Sequence, residues 1–202
     1  QHLQAYGSMH ETKDKELRDL KAWVQSPAGF KNKALYYSLL LFPLATVGSL
    51  VYYFVTGNDK GADLFYVLFV VNLIISFAFG RNIAAHLSVS TSVNKLLQQY
   101  AGQLKLIEQE KFESPLLQAW QQRITTQQGT ASKSIGTLAS LFNYLETVVN
   151  LLVSILLNGI VQFHVHVLYK LERWKEQNGN KIFDWLQLLG DMEALNSFAN
   201  LA

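Results

Sequence analysis

Few side chains in this sequence have the types and spacings that do chemistry. His164 and His166 are its closest pair of histidines. Two positions apart on a helix they point to different faces, so one ion does not take both, and they read as partly buried histidines in a helix interface. Glu108, Glu110 and Glu113 cluster among glutamines with Lys105 and Lys111 beside them. That is a solvated helix surface, without the cleft and raised pKa that paired catalytic carboxylates need. With no cysteine, a thiolate zinc site, a cysteine nucleophile and a disulfide scaffold are excluded. The sequence contains no H-E-x-x-H, no G-x-G-x-x-G, no G-x-x-x-x-G-K-[ST] and no G-x-S-x-G. No catalytic, cofactor-binding or metal-binding residue is therefore assigned, and these residues read as non-enzymatic.

Charge excludes a strong nucleic-acid interface. The 202 residues carry 17 basic and 15 acidic side chains for a net +2, and residues 82–202 carry nine of each. Phosphate affinity depends on clustered positive charge, so this chain by itself should bind DNA weakly. Half of the residues are apolar and only 16% are charged, against ~25% charged in an ordinary soluble domain. Such a composition excludes a disordered chain and points to long apolar helices.

Those apolar residues are concentrated. Residues 34–56 form a run of 23 without Asp, Glu, Lys, Arg or His, and residues 64–80 a second of 17. A helix crosses the hydrocarbon layer with ~20 such residues, in a range of about 17–25. Tyr36, Tyr37, Tyr52 and Tyr53 bracket the first run, about 24 Å apart along a helix, as aromatic belts at two interfaces would be. Gly57-Asn58-Asp59-Lys60-Gly61 is a turn-rich link, so residues 34–81 are expected to form a two-helix transmembrane hairpin. Lys31, Lys33 and Arg81 flank its outer ends, which places both termini in the cytoplasm by the excess of basic residues. Pro43 should kink the first helix or be accommodated locally, as membrane helices tolerate. Asn72, near mid-bilayer, should hydrogen-bond to the partner helix or to a second copy.

Around the hairpin the pattern is helical throughout. Residues 1–33 form an amphipathic helix on Leu17, Leu20, Trp23 and Val24, closed by Ser26-Pro27-Ala28-Gly29. Residues 82–202 form a bundle of long helices. Its first stripe is Leu96, Leu97, Tyr100, Leu104 and Ile107. Ser114-Pro115 starts the next helix, which fades at Gln127-Gln128-Gly129-Thr130. From Ser134 to about Gln177 the pattern predicts one helix of some 60 Å. Within it Glu146, Asn150, Ser154, Asn158 and Gln162 form a polar ridge at four-residue spacing, beside an uncharged run over 147–163. That stretch is expected to be the central helix of the bundle; the competing reading is a third membrane-associated segment. Asn178-Gly179-Asn180 breaks the chain, and two short helices, 181–189 and 191–201, should follow. The fold class is all-α.

The last third carries a resemblance. Leu171-Glu172-Arg173-Trp174-Lys175, then the run from Phe183-Asp184-Trp185 through Leu189-Gly190-Asp191-Met192-Glu193-Ala194-Leu195 to Ala202, resembles the MutS family of DNA mismatch repair. It looks like the stretch where core and lever helices return toward the ATPase domain, and the layout is similar to membrane-anchored MutS-like proteins of bacteria. By that resemblance the chain is a piece lying upstream of an ATPase domain. ATP and Mg are expected in the parent's missing domain, with none bound here, and the parent would dimerise and bind mispaired or branched DNA. Trp174, Trp185, Leu189, Glu193 and Leu195 would pack and brace the lever helices. Phe112-Glu113-Ser114 does not fit the family's Phe-x-Glu wedge, so no base-reading residue carries over. The implied function is to anchor a MutS-like ATPase to the bacterial inner membrane and transmit nucleotide-dependent motion. The alternative is a membrane-bound helical scaffold or sensor that binds a protein partner without an ATPase or DNA link.

Overall fold

A computed structural model describes residues 2–27, 33–126, 129–147 and 150–199, with side chains at 13–27, 33–125, 129–146 and 150–197. The chain is all-α. Its described helices are α1 (His2–Gln25), α2 (Lys33–Leu39), α3 (Leu41–Thr56), α4 (Asp59–Ala78), α5 (Gly80–Gln109), α6 (Pro115–Ile124), α7 (Ala131–Thr147), α8 (Leu151–Val161), α9 (Phe163–Asn178) and α10 (Ile182–Ala199). The strands β1 (Thr125–Thr126) and β2 (Gly129–Thr130) form one antiparallel pair after α6. Two compact units share these elements. The first comprises Gln1–Ser26, Thr91–Phe142 and Trp174–Ala202; the second comprises Pro27–Ser90 and Asn143–Arg173.

The first unit is built as water requires, apolar inside. Leu20 and Trp23 of α1, Val93, Leu97 and Leu104 of α5, Ile135, Leu138 and Phe142 of α7 and Trp185 and Leu189 of α10 are buried. Trp23 meets Phe142 edge-on at 5.2 Å between ring centres and Trp174 at 6.2 Å. The Trp174 indole donates to Ser134 O at 2.8 Å, which removes the one polar liability of that ring. Gln121 of α6 donates to the carbonyls of Ile107 and Glu110, at 2.8 and 2.7 Å, and so satisfies the end of α5. Pro115 occupies the first turn of α6 as expected, but the Ser114 side chain makes no capping bond.

The second unit holds the hairpin. Among the described residues, Lys33–Thr56, taken across a break at Leu40, and Asp59–Ala78 are each long and apolar enough to cross a membrane. The break lies where Pro43 cannot donate to Leu39 and its ring crowds that carbonyl. The link is shorter than the sequence suggests. Gly57 takes a left-handed cap (φ 65) with its N–H on Tyr53 O, and Asn58 caps α4 by accepting from Lys60 N at 3.0 Å. A methyl at Gly61 would come within 2.9 Å of Tyr53 N, so the helices meet there backbone to backbone.

Two expectations are corrected. The single helix over 134–177 is three helices, α7, α8 and α9. Asn150 leaves the helical region and caps α8 through Leu152 N and Val153 N, and Gln162 closes α8 in a left-handed conformation (φ 50, ψ 45). Residues 147–163 are thus no central helix of a bundle; α8 packs on α3 and α4. The two short C-terminal helices are one, α10. Gly190 lies within it with open space around its α-carbon, at a cost of about 1 kcal/mol relative to alanine that the flanking buried residues outweigh. The predicted end at residue 201 lies outside the described residues.

Replacing Phe142 by alanine should destabilise the first unit by about 3–5 kcal/mol, because the ring is fully buried against Trp23. Urea unfolding followed by tryptophan emission measures it; a loss under about 1 kcal/mol would show that the site is not close-packed.

Candidate functional site

The residues buried by α3 are Pro43, Thr46 and Ser49; by α4, Gly61, Asn72 and Ser76; by α8, Asn158 and Gly159. All are small, polar or both. The large apolar side chains of the same helices face outward: Leu44, Phe54, Val55, Val67, Ile74 and Phe77, the last 87% exposed. This is the reverse of a water-soluble helix pair, whose apolar stripe faces in. Small residues allow backbones to approach, and buried polar side chains then link helices that have no hydrophobic reason to associate in lipid.

Asn72 is the centre of that polar seam. Its Nδ2 donates to Thr46 Oγ1 at 2.8 Å and to Gly159 O at 2.9 Å, and its Oδ1 accepts from Gln162 Nε2 at 2.8 Å. One amide therefore joins α3, α4 and the end of α8. Asn72, Thr46 and Gln162 are all fully buried. The Thr46 hydroxyl in turn donates to Phe42 O at 2.8 Å, completing the chain of donors. At the seam Phe69 lies directly over Gly159, where any Cβ would overlap its ring.

The end of α8 is sealed by side chains. Asn158 Oδ1 accepts from His164 N at 3.0 Å and its Nδ2 lies 2.9 Å from His164 Nδ1. Gln162 O accepts from Val165 N at 3.0 Å and from His166 N at 3.2 Å. Further along α9, Tyr36 Oη lies 3.0 Å from His166 Nδ1, and the Tyr36 ring stacks on Tyr169 at 3.6 Å. Burial holds the His166 imidazole below its usual range, and nearby Lys170 acts the same way, against a backbone hydrogen bond at Val161. It is thus neutral at pH 7 and pairs with the phenol as an uncharged partner. His164 and His166 take separate partners, and among the described residues no group of three or more His, Cys, Asp and Glu is placed to hold a metal ion. A buried pair, His86 Nε2 to Glu172 Oε1 at 3.2 Å, joins α5 to α9, and Ser90 donates to Glu146 at 2.6 Å.

The packing residues suggested by resemblance lie in the first unit. Trp174, Trp185 and Leu189 are buried in its core. Glu193 is on the surface, accepting from Gln103 Nε2 at 2.9 Å with Lys13 Nζ at 3.8 Å. Leu195 is exposed at the rim of an open groove of about 540 Å³, lined by Leu106, Ile107, Phe112, Leu117 and Met192. Nearby, burial pushes the Tyr100 phenol up against the opposing pull of Lys13. Of the carboxylates Glu108, Glu110 and Glu113, Glu108 accepts from Ser132 N at 2.9 Å and so ties α5 to the start of α7.

Sequence reasoning located Asn72 and the ridge from Glu146 to Gln162 but not their pairing. The signal was present in the four-residue spacing; the partner across 90 positions was not. Scans against known protein families, curated proteins and solved structures give no match to this chain.

Asn72→Leu should weaken the seating of α8 by about 1–3 kcal/mol, because it leaves Gln162 Nε2 and the Gly159 carbonyl buried without partners. Amide hydrogen exchange over 151–161 in detergent should rise while exchange in the first-unit core does not; equal protection would show that packing alone holds the helix.

Proposed function

We propose that this chain is a membrane anchor joined to a helical lever, and that the hairpin of α2–α3 and α4 spans the bacterial inner membrane with both termini in the cytoplasm. The single observation that carries the anchor is the inverted burial of the hairpin, polar and small residues within and large apolar residues outside. Lys33 before the hairpin and Arg81 after it support the orientation.

The lever half of the reading is supported by the resemblance of residues 170–202 to the MutS family and by the burial of Trp174, Trp185 and Leu189 in one core. In it the first unit braces a MutS-like ATPase that binds ATP and Mg in a domain outside these residues, dimerises, and engages mispaired or branched DNA there. A second reading, a membrane scaffold that binds a protein partner, is favoured by the apolar groove beside Leu195. The gene downstream of Ala202 separates them: the lever reading expects a phosphate-binding loop, with ATP hydrolysis lost when its lysine is replaced. A frame without that loop supports the scaffold.

The anchor has its own test. Val70→Arg, near the middle of α4 and half-exposed, should impair insertion by about 2.5–3.5 kcal/mol, read as the membrane-embedded fraction after alkaline extraction. A protease site placed at Asn58 should be cut only from the outer side in right-side-out vesicles. Unchanged insertion of the arginine variant would count against a span.

A further inference from the structure

Beyond the two spanning helices, we propose that α8 is a third lipid-contacting element, dipping into the bilayer beside the hairpin without crossing it. The inference rests on the hairpin being membrane-embedded and adds to it. With 11 residues, α8 is about 16 Å long, roughly half of the ~30 Å hydrocarbon layer. Its outer surface is Leu151, Leu152, Val153, Ile155 and Leu156, all exposed, with Leu152 at 72%. Its inner surface is Asn158 and Gly159, with Ser154 half-buried. The helix therefore repeats the inversion of α3 and α4, and its apolar face continues theirs, because it packs on both.

The helix ends carry the second line of support. A helix end within hydrocarbon must have its free amides and carbonyls satisfied by protein, since unpaired groups there cost several kcal/mol each. Asn150 Oδ1 accepts from Leu152 N at 3.0 Å at one end. At the other, Gln162 N donates to Asn158 O at 3.1 Å, and Gln162 O takes two amides of α9. Gln162 then reaches Asn72, six positions before the end of α4 and so about 9 Å inside it. The left-handed Gln162, the only non-glycine residue with positive φ among those described, turns the chain back at that depth into α9. The occupant of the exposed face is lipid acyl chain, since no charge occurs over 147–163 and the surface is continuous with that of the hairpin.

The chain has no cysteine, so single bimane-labelled cysteines report each position cleanly. The full chain carrying Leu152→Cys or Leu156→Cys is reconstituted in phosphatidylcholine–phosphatidylglycerol vesicles. Val70→Cys serves as the hairpin reference and Gln122→Cys, exposed on α6, as the water reference. Doxyl-labelled lipid should quench both α8 probes as it quenches Val70→Cys, while aqueous iodide quenches only Gln122→Cys. Iodide quenching at both α8 positions with lipid quenching retained at Val70→Cys overturns the inference and leaves the anchor standing. Protection from both quenchers would place a protein surface on α8 and overturns it too. Lipid quenching absent at Val70→Cys removes the anchor reading itself.

Discussion

A buried amide has four hydrogen-bonding valences, and leaving them unmet in an apolar medium costs more than any packing around them returns. The second unit is organised around meeting that requirement at Asn72. Its side chain reaches a hydroxyl on α3, a backbone carbonyl on α8 and the amide of Gln162. One contact reaches α3 and two reach the end of α8, so one residue of α4 ties three helices together. Gly159 is required where it is because its carbonyl must approach Asn72 while Phe69 covers its α-carbon. Gln162 adopts a backbone conformation that costs a side-chain-bearing residue about 1–2 kcal/mol. The charge-free hydrogen bond to Asn72 and the amides of α9 on its carbonyl offset that cost.

The two units solve opposite problems with the same helices. In the first, Trp23, Phe142 and Trp174 supply large apolar area to be removed from water, and polar groups such as the Trp174 indole and the α5 carbonyls are matched at the edges. In the second, the residues that α3, α4 and α8 bury are small or polar while their large apolar side chains lie outside, and a separate apolar cluster around Val165 and Leu168 holds α9 against Tyr36, Ile75 and Phe79. Lys175 shows how the first unit treats a charge: its stem is buried, while the ammonium lies 5.4 Å from the Trp23 ring centre and 3.2 Å from Ser26 Oγ. No comparable cation belongs in the interior of α3, α4 and α8, whose buried residues are all uncharged.

Much of this was legible from composition and period. Charge-free runs located the two spanning-length helices, Pro43 located the bend at Leu40, and Asn178-Gly179-Asn180 located the turn before α10. The stripe from Leu96 to Leu104 gave the buried face of α5. What escaped was decided by partners remote in sequence. The stretch 134–177 lacks proline and reads as one helix, yet Asn150 leaves the helix to become a cap and Gln162 closes one. Asparagine and glutamine in a helical pattern give no sign of which they will do until a receiving group such as Asn72 is in reach. The reverse error arose at Gly190, where a residue that usually ends helices lies on an exposed face and ends nothing.

The four-residue ridge from Glu146 to Gln162 shows how such a pattern is to be weighed. On a water-soluble bundle a narrow polar stripe along an apolar helix would mark the solvent side. Here four of its members do separate jobs. Glu146 accepts from Ser90, Asn150 caps α8, Asn158 holds His164, and Gln162 binds Asn72. None of those roles needs bulk water, and three of them terminate or turn a helix. Asn150 stays exposed at the start of α8, while Asn158 and Gln162 are buried, so toward the end of α8 the stripe turns inward and the apolar face of Leu151, Leu152, Ile155 and Leu156 meets the surroundings. In the proposed placement of α8, the stripe that argues against lipid on every side of the helix is the feature that selects the side turned to lipid.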